Sequence, residues 1–169
     1  AAAAIRMLGG LGELLRRSLT SLKVGVVSLT EELDFIARYL EIETTRFPDR
    51  LRVTVEIDDD VKRAAIPSML LQPIVENAIE HGIAPKVDGG RISITASRLA
   101  DRVRIEVRDD GVGLEPPPSA GHGVGLSHVR KRLAQMYPGS HRFELVRNDP
   151  GTRAIVELPY TDCEGECER

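Results

Sequence analysis

The chain reads Arg102-Val103-Arg104-Ile105-Glu106-Val107-Arg108-Asp109 where a strand pattern gives way to a glycine-rich loop. Apolar and charged residues alternate along this stretch, which predicts a β-strand with Val103, Ile105 and Val107 facing the core. Asp109 falls on the apolar side of the same alternation. Because burying a carboxylate is strongly unfavourable without a hydrogen-bonding partner, the end of this strand is predicted to bind a donor group.

Two glycine clusters follow the strand and indicate a nucleotide site. Gly111-Val112-Gly113 comes directly after it, and Gly121-His122-Gly123-Val124-Gly125-Leu126 follows further on. Glycines let backbone N–H groups approach phosphates closely, and the second cluster opens a predicted helix whose N-terminus favours anions. A buried acceptor next to these clusters predicts a nucleotide-binding cleft.

The composition is that of an ordinary soluble protein. The 169 residues are 41% hydrophobic and 29% charged, with a net charge of -3, which gives no reason to expect a nucleic-acid partner. The sequence contains neither a signal peptide nor an apolar run long enough to span a bilayer. The chain does not begin with Met, so we expect a cytoplasmic piece of a longer protein, whose membrane anchoring stays open. Cys163 and Cys167 are interpreted as two free thiols in a frayed polar tail.

The periodicity of the chain predicts an α+β sandwich, a largely antiparallel sheet with helices on one face. Ser28-Leu29-Thr30-Glu31 is typical of a capping box and starts a helix that runs to about Thr45. A weaker helix is expected over residues 5–22. The other predicted elements are helices over Pro67–His81 and 125–136, and strands over 51–57, 91–99, 102–109, 142–147 and 153–158.

The predicted helix Pro67–His81 has an apolar face and a polar border. Pro67 is placed in its first turn. Asn77 and His81 lie on the border, where the amide oxygen of Asn77 could ligate Mg²⁺ or could simply bond neighbouring backbone. The apolar rows are Leu70, Ile74 and Ala78, then Leu71, Val75 and Ile79, and the far side carries Gln72, Glu76 and Glu80.

Four motifs in order resemble those of LytS/YehU-type sensor histidine kinases. Leu71–Gly82 resembles the N box, and Asp109–Gly113 resembles the first glycine box, usually Asp-Asn-Gly-x-Gly. Gly121–Leu126 resembles the second glycine box, and Gly151-Thr152 resembles the last element. The segment Glu32–Leu51 is similar to the lead-in to the catalytic domain, so the resemblance covers about 14–160.

The resemblance implies a Bergerat-type two-layer α/β sandwich with a mixed, mostly antiparallel sheet, preceded by N-terminal helices. This fold is shared with DNA gyrase and the Hsp90 chaperones. The implied organisation is a remnant of the dimerisation and phosphoacceptor region over 1–27, an ATP-binding catalytic domain over 28–160, and a polar tail over 161–169.

The resemblance also implies the roles of site residues, with ATP or ADP and Mg²⁺ as cofactors. Asp109 would accept a hydrogen bond from the adenine amino group, Asn77 would hold Mg²⁺, and Thr152 would support the adenine. Residues 114–120 would form a short lid. The remaining cofactor-binding residues are expected to be Gly111, Gly113, Gly121, Gly123, Gly125 and Leu126.

Some residues depart from the family pattern. Asp110 stands where Asn is commoner, on the solvated side of the strand, so the change should be tolerated. Pro73 stands where the hydrolytic relatives carry the Glu that activates water. Glu76 points away from Asn77 on the helical wheel, and its role as a base for an imidazole stays open. His81 could contact a phosphate or be structural.

The function implied is phosphoryl transfer from ATP to a histidine upstream of this sequence. The resemblance also implies a longer, homodimeric protein whose partner is a response regulator. His81, His122, His128 and His141 do not lie in an acceptor context, so the chain alone should not phosphorylate itself. Lys86 and Arg130 could neutralise phosphate charge, but the interpretation we favour for each is a solvated surface charge. Two alternatives are a slowly hydrolysing conformational module and a degenerate interaction module without ATP affinity.

Overall fold

The computed structural model describes residues 25–46, 50–113 and 124–163. The predictions for the helix near 5–22, the lid 114–120, Gly121, His122, Gly123 and the end of the tail lie outside these residues. Its helices are α1 (Leu29–Arg46), α2 (Gln72–Asn77) and α3 (Val124–Met136), and α2 continues into a π-helical segment, Ala78–Ile83. Its strands are β1 (Val26–Ser28), β2 (Leu51–Ile57), β3 (Ala65–Pro67), β4 (Gly90–Leu99), β5 (Arg102–Asp109), β6 (Arg142–Arg147) and β7 (Thr152–Pro159), with a 3-10 turn at Asp59–Val61.

The main sheet has five strands in the order β2-β4-β5-β7-β6. Strands β2 and β4 are parallel, and the other neighbours are antiparallel. The predicted mixed, mostly antiparallel α+β sandwich is therefore confirmed. Among the described residues, no helix is long and apolar enough to cross a bilayer.

The core lies between one face of this sheet and the three helices. Val103, Ile105 and Val107 of β5 point into it, as their alternation predicts. The apolar rows of the α2 region, including Leu71 and Ile79, pack in the same cluster. The opposite face of the sheet carries charged side chains that pair with one another, among them Arg104 with Glu106 and Glu157.

Helix α1 begins with the predicted capping box. The Glu31 backbone N–H donates to Ser28 Oγ at 3.2 Å, and the Ser28 backbone N–H donates to Glu31 Oε2 at 2.8 Å. The helix ends at Arg46, one residue beyond the expected end. Reciprocal capping satisfies two backbone donors at the start of the helix.

The prediction that Pro67 begins a helix is wrong. Pro67 ends β3, which pairs antiparallel with β1 in a separate two-stranded sheet. A turn through Met69, which has a φ of 57°, separates this strand from α2, and Pro73 takes the first-turn position instead. The apolar period continues through the turn, so the pattern alone could not show where the helix begins.

The interpretation of the tail as a frayed segment is wrong for its first residues. The Ala65 backbone N–H donates to the Thr161 carbonyl at 2.8 Å, and the Cys163 N–H donates to the Arg63 carbonyl at 2.9 Å. Cys163 is disulfide-bonded and is not the free thiol expected. Backbone hydrogen bonds thus hold residues 161–163 beside β3.

The capping box gives a first test of the fold. Ser28→Ala removes the acceptor for the Glu31 N–H, so we expect the free energy of unfolding to fall by about 1 kcal/mol. Urea unfolding measures this change. Thr45→Ala is the matched control, because it removes an exposed hydroxyl that bonds only the Glu41 carbonyl of the same helix. Equal losses in the two variants would contradict the capping role.

Candidate functional site

Asp109 ends strand β5 with its side chain inside the protein. The residue is only 3% exposed, which confirms the inward position predicted from the alternation. The Gly111 backbone N–H donates to Asp109 Oδ1 at 2.8 Å, and the Thr152 backbone N–H also bonds this carboxyl group. Backbone donors from two sides thus compensate the burial of the acid.

Burial raises the pKa of the Asp109 carboxyl above its ordinary value, and the negative charge of Asp110 raises it further. The N–H groups of Gly111 and Thr152 act in the opposite direction, because they stabilise the ionised form. Asp109 therefore takes up a proton at a higher pH than an exposed aspartate.

Three glycines surround this carboxylate and leave no room for side chains. A Cβ atom on Gly82 would lie 2.6 Å from Asp109 Oδ1, and one on Gly111 would overlap the Gly82 backbone. A Cβ on Gly151, which has a φ of +96°, would overlap the Asp109 carbonyl oxygen. We call Gly82, Gly111 and Gly151 the glycine cradle. Sequence reasoning gave no site role to Gly82 or Gly151, although both lie in the quoted motifs.

Asp110 and Lys86 form an ion pair beside the first glycine cluster. Asp110 Oδ1 accepts the Arg91 backbone N–H at 2.7 Å and lies 3.6 Å from Lys86 Nζ. Lys86 Nζ also donates to the Asp110 carbonyl oxygen at 2.7 Å. The interpretation of Lys86 as a solvated charge is therefore wrong, whereas Arg130 is exposed and lies over the Phe143 ring.

Asn77 is the last residue of α2, and the segment that follows it reaches the glycine cradle. The Gly82 carbonyl accepts the Val112 backbone N–H at 3.1 Å, which joins the end of the π-helical segment to the first glycine cluster. Asn77 is partly buried, and no described residue hydrogen-bonds its amide side chain. The alternative in which the Asn77 amide only hydrogen-bonds neighbouring backbone is therefore not supported by any hydrogen bond among the described residues.

The carboxylate of Glu76 is bonded within its own helix. Its Oε1 atom accepts a hydrogen bond from Gln72 Nε2 at 2.6 Å. Burial raises the pKa of Glu76, and the charges of Glu80 and Glu43 add to the effect. Burial and the charges of Glu43, Glu76 and Glu80 raise the pKa of Tyr39 on α1.

The described residues of the other glycine motifs lie near these elements. Gly113 has a φ of +79°, and a Cβ atom there would be 3.3 Å from the Gly151 carbonyl oxygen. In the first turn of α3, Gly125 lets the helix approach Pro73, because a Cβ atom would lie 3.2 Å from that of the proline. Leu126 and Thr152 are buried, and His81 is exposed.

Comparison with known proteins identifies the family. Residues 62–162, more than half of the chain, match the family described as histidine kinase-, DNA gyrase B-, and HSP90-like ATPase, and residues 1–51 match the family described as histidine kinase. The sensor histidine kinase YesM of Bacillus subtilis is 34% identical over 158 residues, which are 91% of this chain and 27% of that protein. YpdA of Escherichia coli is 38% identical over 142 residues, which are 79% and 24%.

The chain thus spans about a quarter of the length of these relatives. Among solved structures, the histidine kinase domain from the blue-light activated kinase of Erythrobacter litoralis has a TM-score of 0.63 at 16% identity, covering 95% of this chain and 80% of that one. The catalytic domain of the histidine kinase ThkA has a TM-score of 0.62 at 18% identity, covering 81% and 97%. This chain therefore belongs to the histidine kinase-, DNA gyrase B- and HSP90-like ATPase family, with the fold of histidine kinase catalytic domains.

Proposed function

We propose that this chain is the ATP-binding catalytic part of a protein-histidine kinase in a two-component system. It binds ATP with Mg²⁺ and presents the γ-phosphoryl group to a histidine outside the residues described. The observation that carries the proposal is the buried Asp109 carboxylate in its glycine cradle, next to the segment that leads from Asn77.

The carboxylate of Asp109 explains a preference for adenine. Adenine offers an exocyclic amino group that can donate to Asp109, whereas guanine presents a carbonyl oxygen there, which the carboxylate repels. The glycine cradle supports this role because Cβ atoms there would overlap Asp109 or the backbone beside it, so the three glycines let the chain close around the carboxylate and hold it in place.

Asn77 is the proposed ligand of Mg²⁺. Its amide oxygen is a hard donor of the kind that Mg²⁺ accepts. The described residues contain no group of three or more His, Cys, Asp or Glu side chains able to hold a metal ion. A single protein ligand fits an ion that takes its other ligands from phosphate oxygens and water.

Transfer to an acceptor fits the site better than hydrolysis of ATP. Pro73, four residues before Asn77, has no carboxylate and packs against Gly125. Glu76 is held by Gln72 of the same helix, so we assign it no catalytic step. Neither residue therefore supplies a base for an attacking water.

The described histidines are not proposed as acceptors. His128 is exposed on α3, and the Nδ1 atom of His141 lies 2.8 Å from the Tyr137 carbonyl oxygen. His81 follows Asn77 on the π-helical segment next to Gly82, where it remains a candidate phosphate contact. We place the acceptor on another segment of a longer homodimeric protein.

A response regulator is the proposed recipient of the phosphoryl group. One solved neighbour is the histidine kinase ThkA in complex with the response regulator protein TrrA, with a TM-score of 0.61 at 20% identity, covering 91% of this chain and 48% of that one. We propose the same class of partner here and a cytoplasmic location for this domain.

The first prediction concerns recognition of the adenine base. Asp109→Asn should weaken ATP binding by about 1–3 kcal/mol, because the amide is a weaker acceptor for the adenine amino group. Isothermal titration calorimetry measures the affinity, and GTP should bind the unmodified chain poorly. Asp110→Asn is the matched control, since it keeps the acceptor oxygen for the Arg91 N–H. Equal affinities for ATP and GTP would remove the assignment of Asp109.

The second prediction concerns pH. The pKa of Asp109 is raised, so acidification should protonate it and weaken ATP binding at a pH above the ordinary range for aspartate. Asp110→Asn should shift this loss to lower pH, because it removes the neighbouring negative charge. Calorimetric affinities from neutral to mildly acidic pH test both points. Identical pH profiles for the two proteins would contradict the electrostatic coupling of the pair.

The third prediction concerns the metal. Asn77→Ala should weaken binding of Mg-ATP much more than binding of metal-free ATP, because the lost ligand acts through the ion. Titrations with excess Mg²⁺ and with a chelator give the two affinities. If the variant and the unmodified chain differ by the same ratio in both conditions, Asn77 is not the ligand.

A further inference from the structure

Glu32 is a buried acid outside the nucleotide site. It lies in the first turn of α1 and is only 4% exposed, whereas its neighbour Glu31 is exposed. Its Oε2 atom accepts the Met69 backbone N–H at 2.8 Å, and its Oε1 atom accepts the Leu71 N–H at 2.9 Å. Both carboxylate oxygens of Glu32 thus accept hydrogen bonds from the turn that precedes α2.

Helix α2 depends on this contact. It has only six residues, and no side chain of its own caps its start at Leu71. Glu32 bonds the N–H of Leu71, the N-cap residue, and that of Met69 two residues earlier, so it fixes from α1 the turn at which the helix starts. The same bonds hold Met69 at a positive φ that is unfavourable for a residue other than glycine.

Arg132 of α3 holds the other side of this turn. Its guanidinium group donates to the Ser68 carbonyl oxygen, and to Ser68 Oγ at 3.0 Å. It also donates to the Gly25 carbonyl oxygen at 3.4 Å. Burial raises the pKa of Glu32, and the positive charge of Arg132 acts in the opposite direction. The turn 68–71 is therefore held between an acid on α1 and a base on α3.

We propose that Glu32 is a positioning residue for the metal and phosphate end of the nucleotide site. It fixes the start of α2 and thereby the place of Asn77 at the end of the same short helix. This inference rests on the proposed role of Asn77. Recognition of adenine does not need Glu32, because Asp109 is held by the central sheet and by the Gly111 and Thr152 N–H groups.

The arrangement connects the site to the start of the described chain. Strand β1 leads directly into α1, and the carboxylate of Glu32 follows within the first turn. A shift of α1 therefore moves the acceptor on which α2 depends. Through Glu32, α2 and Asn77, the position of α1 therefore sets the affinity for Mg-ATP.

Glu32→Gln in the full 169-residue chain tests the proposal. Glutamine keeps the shape but has one acceptor oxygen, so one of the two bonds to the turn is lost and we expect the affinity for Mg-ATP to fall about tenfold, in keeping with the loss of one buried hydrogen bond to a carboxylate. The affinity for metal-free ATP should stay within about twofold, because the adenine contact is intact. Amide hydrogen exchange should become faster over residues 69–77 and stay unchanged in β5.

Two further variants separate positioning from a general loss of stability. Ile36→Val loosens the core under the same helix but leaves the hydrogen bonds of Glu32 and Arg132 to the turn in place, so it should cause no metal-dependent loss of affinity. Arg132→Met releases the other side of the turn and should reproduce the metal-dependent loss. This variant also tests the proposal if Glu32→Gln does not fold.

The outcomes distinguish this inference from the proposed role of Asn77. If Asn77→Ala loses affinity only with Mg²⁺, while Glu32→Gln and Arg132→Met lose none or lose it equally with and without the metal, the positioning role of Glu32 is overturned alone. If Asn77→Ala itself shows no metal-dependent loss, both proposals fail. Metal-dependent losses in all three variants, with none in Ile36→Val, support them together.

Discussion

An ionised acid can stay buried only where donors surround it, and at Asp109 the backbone provides them. The N–H groups of Gly111 and Thr152 bring the first glycine cluster and the start of β7 to the end of β5. They can come this close because Gly82, Gly111 and Gly151 have no side chains to obstruct the approach. One carboxylate therefore fixes how three separate parts of the chain meet, and we propose that the surface they form binds the adenine amino group.

The two ends of the proposed site have different mechanical support. The adenine end lies at the end of β5, a central strand of the five-stranded sheet, which pairs with β4 through Asp109 and with β7 through Arg108. The phosphate end depends on a six-residue helix, which is too short to be stable without tertiary contacts. Glu32 and Arg132 provide such contacts from α1 and α3. Changes elsewhere in the chain can therefore alter the phosphate end while leaving recognition of the base intact.

Local patterns predicted much of this structure, and contacts distant in sequence account for the rest. Alternation placed Asp109 inside, and the capping box placed the start of α1, because both are properties of a few neighbouring residues. The role of Glu32 could not be predicted, since the turn that it holds is 37 to 39 residues away. The pairing of Lys86 with Asp110 could not be predicted either, because the two residues are also distant in the sequence. Strands β1 and β3 have three residues each, too few to show alternation, so Pro67 was assigned to a helix.

The central claim is that the carboxylate of Asp109 binds the adenine amino group, and a thermodynamic cycle tests it most directly. Calorimetry would compare ATP with a purine nucleoside triphosphate that lacks the 6-amino group, on the unmodified chain and on Asp109→Asn. The account predicts that the unmodified chain prefers ATP by about tenfold and that the variant loses most of this preference. A preference of the same size in both proteins, or none in the unmodified chain, would contradict it.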